Sequence, residues 1–222
     1  FQVVLHSQIP IARGMGSGAA VAAAIVRALA LYFEQPLPSR TVSELVYQTE
    51  IIFHGTPSGI DNTVVAFEKP VYFIKGEKAE IFWVGSPLYL LIADTGIPSQ
   101  TRDMVAQIRR KWRAHPQRYQ ALFDEIASLV QEGREAIVKG DVTRLGELMN
   151  QNHALLQDMG VSCPELDQLV QAAREAGALG AKLSGGGGGG CMIALVNSQL
   201  RDQVSTALLL ANAQQVLFTT IR

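Results

Sequence analysis

Hydrophobic and polar positions change their rhythm several times along this chain, and each change marks an expected element. Phe1 to Ser7 alternates as a strand does, and Pro10 stops it. From Gly14 to Phe33 the only charged residue is Arg27, which predicts a long helix buried nearly all round. Gln35-Pro36-Leu37-Pro38 breaks it, and Ser39 or Thr41 can cap a second helix that includes Leu45, Val46, Thr49 and Ile52 and ends near His54-Gly55. Thr63 to Phe82 reads as β, with Val64-Val65-Ala66-Phe67, Val71-Tyr72-Phe73-Ile74 and Ile81-Phe82-Trp83 separated by Lys69-Pro70 and Gly76-Glu77 turns. A further strand spans Leu88 to Ala93.

After Thr101 the spacing becomes helical. Met104, Val105, Ile108 and Trp112 form one face, Leu122, Ile126, Leu129 and Val130 a second, and Leu145, Leu148, Met149, Asn152, Leu155 and Leu156 a third. Trp112 and the methionines fall in register with the aliphatics and read as core filling. His115 and His153 have no neighbours at metal spacing and read as surface or core histidines. The last third reads helix (Pro164 to Ala176), strand (Ala178 to Leu183), glycine turn, strand (Cys191 to Val196), helix (Gln199 to Leu210) and strand (Gln215 to Thr220). The whole is an α+β chain.

Charge and composition narrow the partners. The net charge is −1 and the basic residues are scattered, so neither nucleic acid nor an acidic membrane is indicated, and a small molecule is expected. The two cysteines, Cys163 and Cys191, form no disulfide framework or zinc spacing, which suits reduced thiols in a cytoplasmic protein. No signal peptide or membrane span is read, because the apolar run from Ala19 is alanine-rich and broken by Arg27. The chain opens on Phe1-Gln2-Val3-Val4-Leu5 without methionine in what reads as mid-strand, so it is expected to begin part-way through a longer protein.

Three stretches carry candidate chemistry. Pro10-Ile11-Ala12-Arg13-Gly14-Met15-Gly16-Ser17-Gly18-Ala19-Ala20 is a glycine-rich turn running into a helix, where free amides at the helix's positive end suit a polyphosphate. Its spacing is neither that of a P-loop nor that of a dinucleotide fingerprint, and such a turn also serves purely structural ends. Glu50 and Asp61 flank the turn His54-Gly55-Thr56-Pro57-Ser58-Gly59. Glu50 sits among Ile51, Ile52 and Phe53, where a carboxylate calls for a cation unless it lies on the exposed helix face; Asp61 suits a base or a helix cap. Ser184 followed by Gly185 to Gly190 is a flexible linker or a second phosphate-facing loop, and its place between two short strands favours the loop. Asp94 to Thr101 is a polar loop at a strand end.

Taken together, Pro10 to Ala20, Glu50 to Asn62 and Lys182 to Cys191 resemble the superfamily of galactokinase, homoserine kinase, mevalonate kinase and phosphomevalonate kinase, the GHMP kinases. The stretches Glu50 to Asn62 and Asp94 to Thr101 look most like the mevalonate kinases, and the resemblance extends over essentially the entire chain. It implies a two-domain GHMP fold, with residues 1–95 an ATP-binding domain of ribosomal S5-like type lacking its start and 96–222 a ferredoxin-like α/β-plait. It implies ATP and Mg²⁺, a mevalonate substrate phosphorylated on its 5-hydroxyl, and a homodimer as an open option. Pro10, Arg13, Gly14, Met15, Gly16, Ser17, Gly18, Ala19, Gly185, Gly186 and Gly187 would then bind ATP. Glu50 and Ser17 would hold the metal, Asp61 would be the catalytic base, and His54, Asp61, Thr101 and Ser184 would meet the substrate. Phosphomevalonate or homoserine phosphorylation, and nucleotide binding without turnover, remain alternatives. The chain departs from the family at Gly18, where a second serine is usual, and at Gly186, where alanine or serine is usual and glycine is expected to loosen the loop. The family's first motif, with a lysine near the aspartate, has no counterpart within these residues.

Overall fold

A computed structural model describes residues 2–7, 9, 14–54, 57–99 and 101–222, with the backbone alone at Phe53 and His54. The chain divides into two compact units. The first takes in the described residues up to Trp83 except Gly14, and the second takes in Gly14 and Val84–Arg222. The strand Leu88–Asp94, which the sequence reading assigned ahead of a boundary at residue 95, pairs inside the second unit.

Three helices make up most of the first unit: α1 (Ser17–Tyr32), α2 (Ser39–His54) and α3 (Ile60–Phe67). They meet through small residues, because Ala19 and Ala23 stand one turn apart on α1 and pack with Val42, Val46 and Ala66. Polar contacts add direction to this core. Asn62 Nδ2 donates to Ser43 Oγ (2.9 Å) and to its carbonyl (3.2 Å), fastening α3 to α2. Arg27 donates to the Ala66 carbonyl at 2.8 Å and pairs with Glu68, fastening α1 to α3.

The expected burial of α1 on all sides is corrected here. Only Ala19 and Ala23 are buried, while Leu31, Tyr32 and Phe33 are 72%, 64% and 60% exposed, since α2 and α3 cover one side. Residues 2–7 are exposed and belong to no strand, having no ladder partner among the described residues, so alternation there does not become a strand. Val64-Val65-Ala66-Phe67 is helix, not strand. Gly59, at φ 94°, caps α3, and the buried residues Asn62, Thr63 and Ala66 follow helical spacing. The expected long strands that follow shrink to a two-residue ladder between β1 (Val71–Tyr72) and β2 (Glu80–Ile81).

The second unit is a four-stranded antiparallel sheet in the order β4-β5-β3-β6, formed by β3 (Leu88–Asp94), β4 (Gly180–Leu183), β5 (Cys191–Val196) and β6 (Gln215–Ile221). In chain order the strands and helices run β-α-β-β-α-β, which is the ferredoxin-like plait. The helical part of the first crossover is α4 (Thr101–Ala114), α5 (Pro116–Lys139), α6 (Val142–Met159) and α7 (Pro164–Glu175); the second is a 3₁₀ turn and α8 (Arg201–Leu210). Leu91, Leu183 and Met192 of the sheet pack with Leu166, Leu169, Val204 and Leu208 of α7 and α8. Trp112 corrects the core-filling expectation: its ring edge meets Phe123, yet it is 42% exposed.

β4 is an edge strand, and its outward amides would need partners. α6 supplies them with side chains. Asn150 Oδ1 accepts from the Ala181 N–H (3.0 Å) and His153 Nδ1 from the Leu183 N–H (3.3 Å). His153 is therefore a core histidine, one of the two readings that its isolation in the sequence left open.

Candidate active site

In the first unit two carboxylates reach the first turn of α1 from different elements. Gly16 caps α1 in the left-handed region at φ 64°, which a side-chain-bearing residue rarely adopts. A Cβ built on Gly16 would lie 3.5 Å from Asp61 Cγ, and one built on Gly18 would lie 3.3 Å from Glu50 Oε1. Asp61 reaches that turn from the N-terminal end of α3, where Gly59 rather than Asp61 is the cap, so the capping reading of Asp61 is set aside. Glu50 is 7% exposed on the buried face of α2 with Val42, Ser43 and Val46, so it is no surface glutamate. The free amides at the start of α1 and these two acids thus share one locality, with an anion-binding end beside cation-binding oxygens. A side chain at position 18 would stand in contact with the Glu50 carboxylate.

The donor set suits Mg²⁺ in the way a phosphate-bound cation is usually held. Among the described residues no three His, Cys, Asp or Glu side chains gather into a metal cage. Mg²⁺ commonly takes one or two carboxylates and completes its shell with substrate phosphates and water. Glu50, with Ser17 at the start of the same turn, fits that pattern.

In the second unit the glycine run is pinned, which corrects both the linker reading and the expected loosening at Gly186. Ser184 N–H donates to the Cys191 carbonyl (2.9 Å), Gly188 N–H to Val161 (2.9 Å) and Gly190 N–H to Ile97 (2.7 Å). Ser99 Oγ donates to the Gly187 carbonyl at 3.1 Å and Thr95 Oγ1 to that of Gly190 at 2.8 Å. Gly187, at φ 77°, has no space for a side chain: a Cβ would stand 2.0 Å from the Val161 carbonyl oxygen. A Cβ on Gly186 would stand 2.7 Å from Thr101 Oγ1. Gly14 also belongs here, with the Gly185 Cα 3.6 Å from where its Cβ would be. Thr101 opens α4, and the buried Asp94 carboxylate accepts from the Gly96 N–H (2.8 Å), shaping the turn that leads toward it.

Of the residues singled out from the sequence, Gly16, Ser17, Gly18, Ala19, Glu50 and Asp61 come together in the first unit, and Gly14, Thr101, Ser184, Gly185, Gly186 and Gly187 in the second. Met15 lies between Gly14 and Gly16 and is partly buried. Pro10 and Arg13 lie outside the described residues, and His54 closes α2 with its side chain outside them. Sequence reasoning missed the loop's supports, namely Thr95, Ser99, Val161 and His153. Thr95 and Ser99 could have been found as hydroxyls following a strand end. Val161 acts through its carbonyl and carries no signal in its side chain.

Lys182 lies beside this loop on β4. Its ammonium is buried, donates to the Leu183 carbonyl at 2.9 Å, and is pushed down to about 8 by burial. Among the described residues no helix is long and apolar enough to cross a membrane.

Comparison with known proteins follows the same division of the chain. Residues 1–69 match the N-terminal domain of GHMP kinases and residues 134–213 their C-terminal domain. The mevalonate kinase of Pyrococcus abyssi is 37% identical over 220 residues, covering 97% of this chain and 65% of that protein. That of Thermococcus sibiricus is 38% identical, again over 97% of this chain and 65% of the relative. The chain thus spans less than two thirds of the length of these curated relatives. The crystal structure of L. major mevalonate kinase in complex with R-mevalonate superposes with a TM-score of 0.88 at 35% identity, over 93% of this chain and 65% of that one. The mevalonate kinase from methicillin-resistant Staphylococcus aureus gives a TM-score of 0.73 at 30% identity, over 96% of this chain and 68% of that one.

Proposed function

This chain belongs to the GHMP kinase family, and on that premise we propose that it carries the machinery for transferring the terminal phosphoryl group of ATP to the 5-hydroxyl of mevalonate. The observation that carries the proposal is the meeting of Asp61 and Glu50 at the first turn of α1. Phosphoryl transfer asks the protein for positioning and charge neutralisation more than for covalent chemistry. The amides of Ser17, Gly18 and Ala19 are oriented by α1 and held by its packed face, so they can receive phosphate oxygens with little reorganisation. Asp61 accepts the proton of the attacking hydroxyl. Glu50 with Ser17 would hold Mg²⁺, which when bound neutralises phosphate charge. In the second unit, Gly185 to Gly187 would offer backbone amides to the nucleotide, and Ser184 and Thr101 hydroxyls to the substrate. Glycine at 186 keeps Thr101 close to that loop. The mevalonate kinase relatives support mevalonate as acceptor over the alternatives. A cytoplasmic site of action agrees with a chain of only two cysteines, too few for a disulfide framework.

The test measures ADP release with mevalonate, phosphomevalonate and homoserine offered in parallel, for the wild type and Asp61→Asn. Mevalonate should be the preferred acceptor, and Asp61→Asn should lower kcat by about 10²-fold or more, the usual worth of a positioned base. Near-normal turnover in Asp61→Asn would remove Asp61 from the mechanism. Preference for another acceptor would overturn the substrate assignment.

A further inference from the structure

The geometry points to His153 and Asp167 as positioning residues for the glycine-rich loop, acting on it through the Leu183 amide. This inference deepens the reading of that loop as a nucleotide site. Leu183 is the last residue of β4, and Ser184 begins the loop. Its N–H is held by His153 Nδ1 at 3.3 Å, so the imidazole must keep Nδ1 unprotonated and carry its hydrogen on Nε2. Nε2 faces Asp167 Oδ1 at 3.2 Å, close enough for charge to favour that tautomer although the hydrogen bond is poorly aligned. Asp167 is in turn fixed by Ser162 Oγ, which donates to the same carboxylate oxygen. The next residue back, Val161, takes the Gly188 N–H on its carbonyl at 2.9 Å. One short segment, Val161-Ser162, therefore holds the loop directly at Gly188 and indirectly at Leu183.

Protonation of His153 at Nδ1 would replace an acceptor with a donor facing the Leu183 N–H, releasing the entry to the loop. The groups around it set the direction. Burial lowers its proton affinity below the usual 6.5, Asp167 of α7 opposes this, and Lys182 of β4 and Arg174 of α7 reinforce it. The neutral, holding form therefore persists to below the ordinary range for imidazole.

The experiment follows the Leu183 and Gly185 to Gly190 backbone amides by NMR and ADP affinity by calorimetry, from about pH 7.5 down to about pH 4.5, a range that reaches below the ordinary one for imidazole. His153→Asn keeps an oxygen near the Nδ1 position that cannot titrate. His153→Leu removes the acceptor, and Asp167→Asn removes the charge that holds the tautomer. In the wild type the loop amides should shift together as pH falls below 6.5, with ADP binding weakening in step. In His153→Asn both should be flat, at near-wild-type affinity. Asp167→Asn should move the transition to lower pH, and His153→Leu should weaken ADP about tenfold at neutral pH, the scale of a buried donor losing its partner. Identical pH responses in the wild type and His153→Asn, or an unmoved loop in His153→Leu, would overturn the inference. Should the amides respond as expected while ADP affinity stays constant, the positioning role stands and the nucleotide reading of the loop falls. His153→Asn and Asp167→Asn keep the test decisive if His153→Leu does not fold.

Discussion

Gly186→Ala tests whether the glycine loop is as tightly held as its contacts imply. The new Cβ would stand 2.7 Å from Thr101 Oγ1, 2.8 Å from its Cγ2 and 2.9 Å from its Cβ. Thr101 cannot swing clear, because its branch point is itself one of the three atoms and its backbone starts α4. Gly186 is absent from the left-handed glycines, so the cost comes from crowding and not from backbone strain. Overpacking of this kind costs about 1–3 kcal/mol. With a urea dependence of about 2 kcal/mol per molar, the unfolding midpoint should fall by roughly 1 M. The diagnostic step is the double variant. Thr101→Ala removes Oγ1 and Cγ2 but keeps Cβ, should itself cost within about 0.5 kcal/mol as a surface change, and should recover part of the Gly186→Ala loss. Because Thr101 is a proposed substrate contact, Gly186→Ala should also raise the KM for mevalonate. An unchanged midpoint in Gly186→Ala, or strictly additive effects in the double variant, would refute the reasoning.

Glu50→Gln should raise the Mg²⁺ concentration needed for half-maximal ADP release more than it raises the KM for mevalonate, since a hard cation prefers a carboxylate; an unchanged Mg²⁺ titration would take Glu50 out of the metal site. Gly16→Ala places a side chain at φ 64°, at a cost of about 1 kcal/mol, and should lower the Tm by about 3 °C; an unshifted Tm would show that the cap of α1 does not need glycine. Lys182 gives a pH signature. With its folded pKa near 8 and an ordinary value of 10.5, the unfolded chain binds the extra proton between them, so stability is full above 10.5, declines toward 8 and is level below. At about 1.4 kcal/mol per unit the loss is on the order of 3 kcal/mol. Urea midpoints from pH 7.5 to 10.5 should rise more in the wild type than in Lys182→Met, which keeps the opposing trend of the raised Cys163 thiol; identical profiles in the two would contradict it.

Where packing follows a single period, the sequence reads clearly. β3 and β5 are continuous apolar runs because both faces are covered, whereas α5 and α6 keep helical spacing because each buries one face and exposes the other. Misreadings arise where propensity and environment separate. Val64 and Val65 favour strands, yet Gly59 starts a helix and the burial of Asn62, Thr63 and Ala66 completes it. α1 looks like a core helix from composition alone, but alanine is apolar without needing burial, and the outer side of Leu31 and Tyr32 is exposed. Period describes what a helix could bury. Neighbours decide what it does bury.

The candidate site divides along the same line. Glu50 could be picked out because it is an acid in an apolar setting, a cost visible in composition, and Asp61 because it follows the same turn. The restraint on the glycine loop could not be picked out, because it is made by backbone carbonyls of Val161 and Ile97 and by a histidine on α6 thirty residues before Leu183. A run of glycines in sequence signals freedom in the unfolded chain, whereas its folded shape depends on what crowds it. At Gly187 the Val161 carbonyl, and at Gly186 the Thr101 side chain, occupy the space that a Cβ would need. Glycine serves there as the residue that permits contact, so the same letters that suggest looseness in isolation specify a restrained turn.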